Sequence, residues 1–168
     1  MPQELRFNVD REIACFIDGS RVAAPGQRPE FVLLIGGVAA GKTTIRKERY
    51  GSGYVVLDAG EIFLNLSRGH PHLEFGKDLD EAVDLIGYLI TLQAMRERRN
   101  IVTEMAGGPC EEMIDAMLSI DYKIDVPYVD CDVNTAMQRN LKRRPDEISA
   151  FYAGPYHARW IIRAAWQV

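Results

Sequence analysis

The stretch Phe31–Thr44, FVLLIGGVAAGKTT, constrains this chain more than any other. Five apolar residues, Phe31-Val32-Leu33-Leu34-Ile35, end abruptly at Gly36-Gly37, and Val38-Ala39-Ala40 lead into Gly41-Lys42-Thr43-Thr44. A short run that is apolar at every position suits a parallel strand buried on both faces. The residues after it satisfy G-x-x-x-x-G-K-[ST], the phosphate-binding loop pattern, directly behind a strand, which is the context the chemistry demands. Glycines permit positive φ and let backbone N–H groups approach phosphate oxygens, and a helix beginning near Gly41 adds the positive end of its dipole. Gly36, Gly37, Val38, Ala39, Ala40, Gly41, Lys42, Thr43 and Thr44 are therefore the expected nucleotide-binding residues. Lys42 is expected to reach the β- and γ-phosphates, and the Thr43 hydroxyl to ligate Mg²⁺.

From this loop onward, helix and strand signals alternate. A helix over about Lys42–Tyr50 stops at Gly51-Ser52-Gly53, and Tyr54–Asp58 reads as a second strand, completing a βαβ unit. Glu61–Leu66 opens another helix. Between Leu79 and Arg99 the residues Leu79, Ala82, Val83, Ile86, Leu89, Ile90 and Ala94 recur at three- and four-residue steps, the apolar face of a long helix. Ile101–Glu104 is a third strand, Glu111–Leu118 a short helix, and Tyr122–Val129 a fourth strand. Asn134 is expected to cap a helix reaching about Arg143, with Ala136, Met137 and Leu141 turned inward. Ahead of the first strand, Arg11–Asp18 reads as a short helix or strand and Ala24–Pro29 as a loop. Trp160 and Trp166 of the tail read as core residues. Alternating strands and helices imply an α/β fold, a three-layer sandwich with a central parallel sheet. The 168 residues fit a single domain, with 1–30 as a lead-in and 145–168 as a lid and tail segment.

Composition narrows the classes. Apolar residues make up 47% and charged residues 26%, ordinary for a soluble globular protein, and the formal net charge of −4 argues against a general nucleic-acid binder. The N-terminus MPQELRFNVD has neither a basic nor an apolar signal region, and no apolar run approaches the ~20 residues of a membrane helix. Cys15, Cys110 and Cys131 are widely spaced and odd in number, which favours free thiols over a disulfide framework or a zinc site. A cytoplasmic protein without membrane or nucleic-acid partners is the expectation.

Ligands of open parallel sheets bind at the carboxyl ends of the strands. Besides the phosphate loop, Asp58, Glu104 and the Asp130–Asp132 segment occupy such ends. An acid beside a bound Mg²⁺–nucleotide can hold a metal water, the role expected of Glu104, or take a proton from an acceptor hydroxyl. Asp130 and Asp132 read better as polar strand ends that cap the next helix. Arg139, Lys142, Arg143 and Arg144 form a basic cluster able to offset the charge of a transferred phosphoryl group, or simply a solvated helix end. His70 and His72 lack the further ligands a metal site needs. The His70 loop and the long helix Leu79–Arg99 are expected to line the acceptor pocket.

In order and spacing, GGVAAGKTT (Gly36–Thr44), VVLDAGEIF (Val55–Phe63), His70-Pro71, NIVTE (Asn100–Glu104) and the run from Tyr122 to Arg143 resemble the zeta-toxin family of P-loop small-molecule kinases. Chloramphenicol phosphotransferase looks similar in layout. The resemblance implies a P-loop kinase-like fold, Mg²⁺, and ATP or GTP as phosphoryl donor to a hydroxyl of a small molecule, UDP-N-acetylglucosamine in zeta toxins. The alternatives are another small alcohol (a nucleoside, an antibiotic or a sugar acid) or a nucleotide-binding module without transfer. An antitoxin protein is the candidate partner. Lys42 and Thr43 match the phosphate and metal positions, and Arg143, with Arg144 beside it, matches an arginine acting on the transferred phosphate; Arg159 is a weak match to a second one. The family base is the second acid of Asp-x-Asp; here Asp58-Ala59-Gly60-Glu61 leaves both Asp58 and Glu61 open. After Glu104, Met105-Ala106-Gly107-Gly108 departs from the family's small polar and basic residues.

Overall fold

A computed structural model describes residues 7–68, 70, 72–144, 151 and 153–168. Its sheet consists of β1 (Glu30–Ile35), β2 (Val55–Leu57), β3 (Ile101–Met105) and β4 (Lys123–Asp125), in the order β2-β3-β1-β4. Every pairing is parallel, with Phe31 opposite Ile101, Ile35 opposite Met105, Val55 opposite Ile101 and Glu30 opposite Lys123. The helices are α1 (Val9–Ile17), α2 (Lys42–Tyr50), α3 (Ala59–Leu66), α4 (Asp80–Arg96), α5 (Cys110–Ser119), α6 (Val133–Leu141) and α7 (Gly154–Ala165). This is the expected α/β arrangement. Among the described residues no helix is long and apolar enough to cross a membrane, and all three cysteines are free.

The apolar run of β1 divides between two cores because successive side chains point to opposite faces of a sheet. Phe31 and Leu33 join a large cluster with residues of α1, α3, α4, α5 and α7, among them Ile17, Ile62, Ile90, Met113 and Trp160. Val32 and Leu34 join a smaller one with Ala40, Val102 and Val129, against which Ile45 and Tyr50 of α2 pack. All four β1 side chains are at most 1% exposed, as a strand covered on both faces requires.

Several boundaries differ from the expectations for local reasons. Asp58 is the N-cap of α3 rather than the end of a strand, accepting the Gly60 and Glu61 N–H groups on its side chain, so α3 begins at Ala59. Asp132 caps α6 through Thr135 N–H at 3.0 Å, as its reading as a helix-capping residue expects, and Asn134 lies within the helix. The helix α4 stops at Arg96 because Arg98 takes a left-handed conformation (φ 53°). Arg99 N–H then returns to the Ala94 carbonyl at 2.8 Å, a backbone closure that satisfies the last helical carbonyls. Only Lys123–Asp125 forms ladder in the fourth strand, since Pro127 has no N–H to donate. Pro127 still accepts from Ile35, and Val129 N–H reaches the Ile35 carbonyl at 2.7 Å, which carries the chain on beside β1.

Two readings of apolar residues are corrected. Met137 and Leu141 of α6 are 60% and 84% exposed rather than inward, because α6 buries none of its residues. In the tail, Trp160 is fully buried between α7 and α4, whereas Trp166 is 82% exposed. Room for the Trp160 indole comes from Gly87 of α4: a Cβ there would stand 2.2 Å from Trp160 Cζ2.

Candidate functional site

The carboxyl ends of β1, β2 and β3 open into one cleft of about 660 Å³. Its floor is the loop after β1. Gly36 is needed there for close approach, since a Cβ would meet the Val129 carbonyl oxygen at 2.5 Å. Gly41 supplies the left-handed turn into α2 (φ 103°), and Ala39 also adopts positive φ (60°), a conformation that costs a residue with a Cβ and occurs most often at functional loops. The helix α2 therefore starts with its N-terminus against the cleft.

Val38, Ala39, Ala40, Gly41, Lys42, Thr43 and Thr44 all line this cleft. Lys42 Nζ lies along the loop and donates to the carbonyls of Gly36 and Gly37, both at 2.8 Å. Burial holds its ammonium below the usual pKa, Arg143 adds to that effect, and Glu104 opposes it. Thr43 Oγ1 donates to Glu104 Oε2 at 2.9 Å across the gap between α2 and β3. The hydroxyl and the strand-end acid singled out in the sequence are thus one hydrogen-bonded pair.

Behind that pair stands a charged residue of α2 with no role assigned from sequence. Arg46 of α2 is 3% exposed. Its guanidinium meets Glu104 at 2.5 Å, Glu61 at 2.6 Å and Asp58 at 3.6 Å. Burial works against its charge, but Glu61, Glu104 and Asp58 more than offset it and hold the group charged. Burial likewise pushes the Asp58 carboxyl up to about 7; Arg46 opposes this, while Glu61 and Glu104 add to it. A carboxyl poised near neutrality can take up a proton.

Asp58 and Glu61 are separated by their surroundings. Asp58 lines the cleft. Glu61 pairs with Arg46 and lines a second hollow, bounded by Cys15, Tyr54, Asn65 and Arg68. His157, on α7, is the other residue missed in the sequence. It is 3% exposed and lines the cleft. Its Nε2 accepts the Ala59 N–H at 2.8 Å, and Nδ1 faces Thr103 Oγ1 at 3.1 Å. Thr103 Oγ1 itself donates to the Leu57 carbonyl at 3.0 Å, so the proton between Thr103 and His157 belongs to Nδ1. The ring is neutral: burial lowers its pKa to about 4. One imidazole thereby ties α7 to the ends of β2 and β3.

Of the basic cluster, Arg139 and Arg143 line the cleft, together with Lys47 of α2. Arg139 donates to the Ala40 carbonyl at 3.4 Å and lies 3.7 Å from Cys131 Sγ. Arg144 and Lys142 are exposed and outside the cleft lining. Arg159 lies apart, bonded to Asp84 of α4 at 2.8 Å. Contrary to expectation, among the described residues neither α4 nor the His70 loop lines the cleft. The helix α7 packs between α4 and the sheet ends, and Leu64, Phe151, Ala153, Gly154 and His157 form that wall. His70 is half-buried and its ring centroid lies 5.9 Å from that of His72; Pro71 is outside the described residues, as is Tyr152.

No family model matches the chain, and no curated protein matches it in sequence. Among solved structures, a chain from the PezAT chromosomal toxin–antitoxin system of Streptococcus pneumoniae is similar, with a TM-score of 0.59 and 19% identity over 79% of this chain and 59% of that one. A chain from the Pnkp1/Rnl/Hen1 RNA repair complex has a TM-score of 0.53 and 13% identity over 87% of this chain and 49% of that one. The present chain therefore spans roughly half to three-fifths of the length of either neighbour. Likeness at such identities concerns architecture, not activity. With its all-parallel sheet and the loop after β1, the chain has a P-loop kinase-like fold, in line at that level with the zeta-toxin resemblance of its sequence.

Proposed function

We propose that this protein is a phosphotransferase that moves the γ-phosphoryl group of ATP or GTP to a hydroxyl of a small molecule. The observation that carries this reading is the convergence, in one cleft, of the loop residues Val38–Thr44, the carboxylates Asp58 and Glu104, and Arg143. Lys42 lies on the loop where it can exchange its carbonyl partners for phosphate oxygens. Mg²⁺ would be held by Thr43 and, through water, Glu104, and when bound it would offset phosphate charge. Among the described residues no cluster of three or more His, Cys, Asp or Glu side chains could hold a metal by itself, which suits a cation held mostly by water and phosphate. Arg139 and Arg143 would offset charge on the transferred group.

Asp58, rather than Glu61, is the base in this reading. It lines the cleft and titrates near neutrality, whereas Glu61 faces Arg46 and the second hollow. The acceptor oxygen attacks the γ-phosphorus, its proton passes to Asp58, and the bond from that phosphorus to the bridging oxygen breaks, releasing ADP or GDP. Part of the proposal is a protein partner that covers the cleft, supported by the likeness to a chain from a toxin–antitoxin system.

The test is incubation with Mg-ATP or Mg-GTP and a panel of alcohols that includes UDP-N-acetylglucosamine. An RNA with a free 5′ hydroxyl belongs in that panel, because the second structural neighbour comes from an RNA repair complex and net charge alone speaks against nucleic acid. Labelled phosphate on at least one acceptor is the expected result. A protein that binds nucleotide and phosphorylates nothing overturns the reading.

A further inference from the structure

Under the phosphotransferase reading, on which this inference rests, the two walls of the cleft differ in charge. The loop and α2 bring Lys42 and Lys47 to one wall, and α6 and the turn after it bring Arg139 and Arg143. On the other, Asp58 and Glu104 are the charged groups, and Leu64, Ala106, Phe151 and Ala153 supply its apolar surface. Among the described residues no cation of that second wall reaches the cleft. Arg46 stands behind it, 3% exposed and engaged by three carboxylates. His157 is neutral, its Nε2 occupied by the Ala59 N–H. An acceptor bearing a carboxylate or diphosphate would set that charge beside two acids whose paired cation, Arg46, is already shared among three carboxylates, and both repulsion and desolvation oppose it.

An apolar body, by contrast, finds a prepared surface. The Phe151 ring is held against Phe75 and Phe63 at centroid distances of 4.8 and 5.8 Å, and Leu64 of α3 lies along the same wall. Aromatic faces fixed in this way bury large area at little entropic cost. Size points the same way. A cleft of about 660 Å³ that must also hold a nucleoside triphosphate leaves room for an acceptor well short of a second nucleotide.

We infer that the acceptor is a small alcohol with an apolar, ring-sized body and no negative charge, its hydroxyl brought to Asp58 by packing of the body on Leu64 and Phe151. The acceptor oxygen gains the γ-phosphoryl group, Asp58 takes the hydroxyl proton, and the nucleoside diphosphate leaves.

Three alcohols on one skeleton separate charge from shape: styrene glycol (neutral), phenylethanolamine (cationic) and mandelate (anionic), with UDP-N-acetylglucosamine as the nucleotide-sugar case. Each is assayed for transfer from labelled Mg-ATP, and each is titrated calorimetrically into protein holding Mg²⁺ and a non-hydrolysable ATP analogue. The glycol and the amine are expected to exceed mandelate and the nucleotide sugar by about tenfold or more in kcat/KM and in affinity. Equal or better use of mandelate or UDP-N-acetylglucosamine overturns the acceptor class and leaves the phosphotransferase reading standing. Transfer to none with the binding preference intact overturns the phosphotransferase reading and upholds the charge preference of the wall. Transfer to none with no binding preference overturns both. Leu64→Arg adds a cation to the wall and is expected to move preference toward mandelate, with nucleotide affinity unchanged; a folded variant showing no such move counts against the inference.

Discussion

Under the phosphotransferase proposal, Asp58 has two tasks with opposite demands on its charge. As the N-cap of α3 it accepts two backbone N–H groups, which favours the carboxylate; burial favours the neutral acid and prevails, raising its pKa from the usual 3.8 to about 7. The transfer rate should therefore rise with pH through about 7, as the base loses its proton. Asp58→Asn keeps the cap and removes the base, so transfer should fall by about 10²–10⁴-fold and the pH-dependent limb should vanish. The stability effect has the opposite sign. Between 3.8 and about 7 the folded protein binds the extra proton, so this group's contribution to stability is full at low pH and is lost as pH rises through the folded pKa. Urea unfolding near pH ~8 should then find Asp58→Asn at least as stable as the parent protein. Arg46 works in the other direction. Removing it leaves Asp58, Glu61 and Glu104 clustered without their cation. Arg46→Met should cost about 3–5 kcal/mol at neutral pH in urea unfolding, the deficit shrinking on acidification as the carboxylates protonate.

Among the elements, α7 decides the most. It packs on α4 through Trp160 and Gly87, and it reaches the strand ends through His157, so one helix joins the core to the cleft. Gly87→Ala would place a methyl 2.2 Å from the indole. The cost should be about 1–3 kcal/mol, read by thermal denaturation, and Trp160→Phe in the same background should recover part of it. The helix α2 was legible end to end, Lys42–Tyr50, because its start and stop are both written locally, in the phosphate loop and in Gly51-Ser52-Gly53. The helix α6 was legible as an element but not in its facing: the spacing of Met137 and Leu141 shows an apolar stripe without showing whether anything covers it, and both are exposed.

At the scale of the whole molecule, the strand order β2-β3-β1-β4 does what no single element can. It sets β3 between β1 and β2, so Glu104 lies between the phosphate loop and Asp58. If that assembly binds nucleotide in the folded state alone, Mg-ATP at about 100 times its Kd should add about 2.7 kcal/mol to stability. The gain would appear as a higher Tm. Lys42→Ala should abolish that rise while leaving the Tm of the ligand-free protein little changed, since among the described residues the hydrogen bonds of Lys42 go to loop carbonyls.

Sequence alone determined the phosphate-loop pattern, the alternation of strands and helices, and the acids that follow or end the strands. Each of these is carried by contiguous residues whose backbone preferences and periodicity are local. Only the tertiary structure decided that Arg46 is buried among three carboxylates, that His157 rather than His70 belongs to the cleft, and that α7 and Phe151 rather than α4 form its far wall. Those contacts join residues as far apart as Ala59 and His157. Over such separations the partner is chosen by how helices pack on the sheet, and that choice leaves no mark on spacing within either segment.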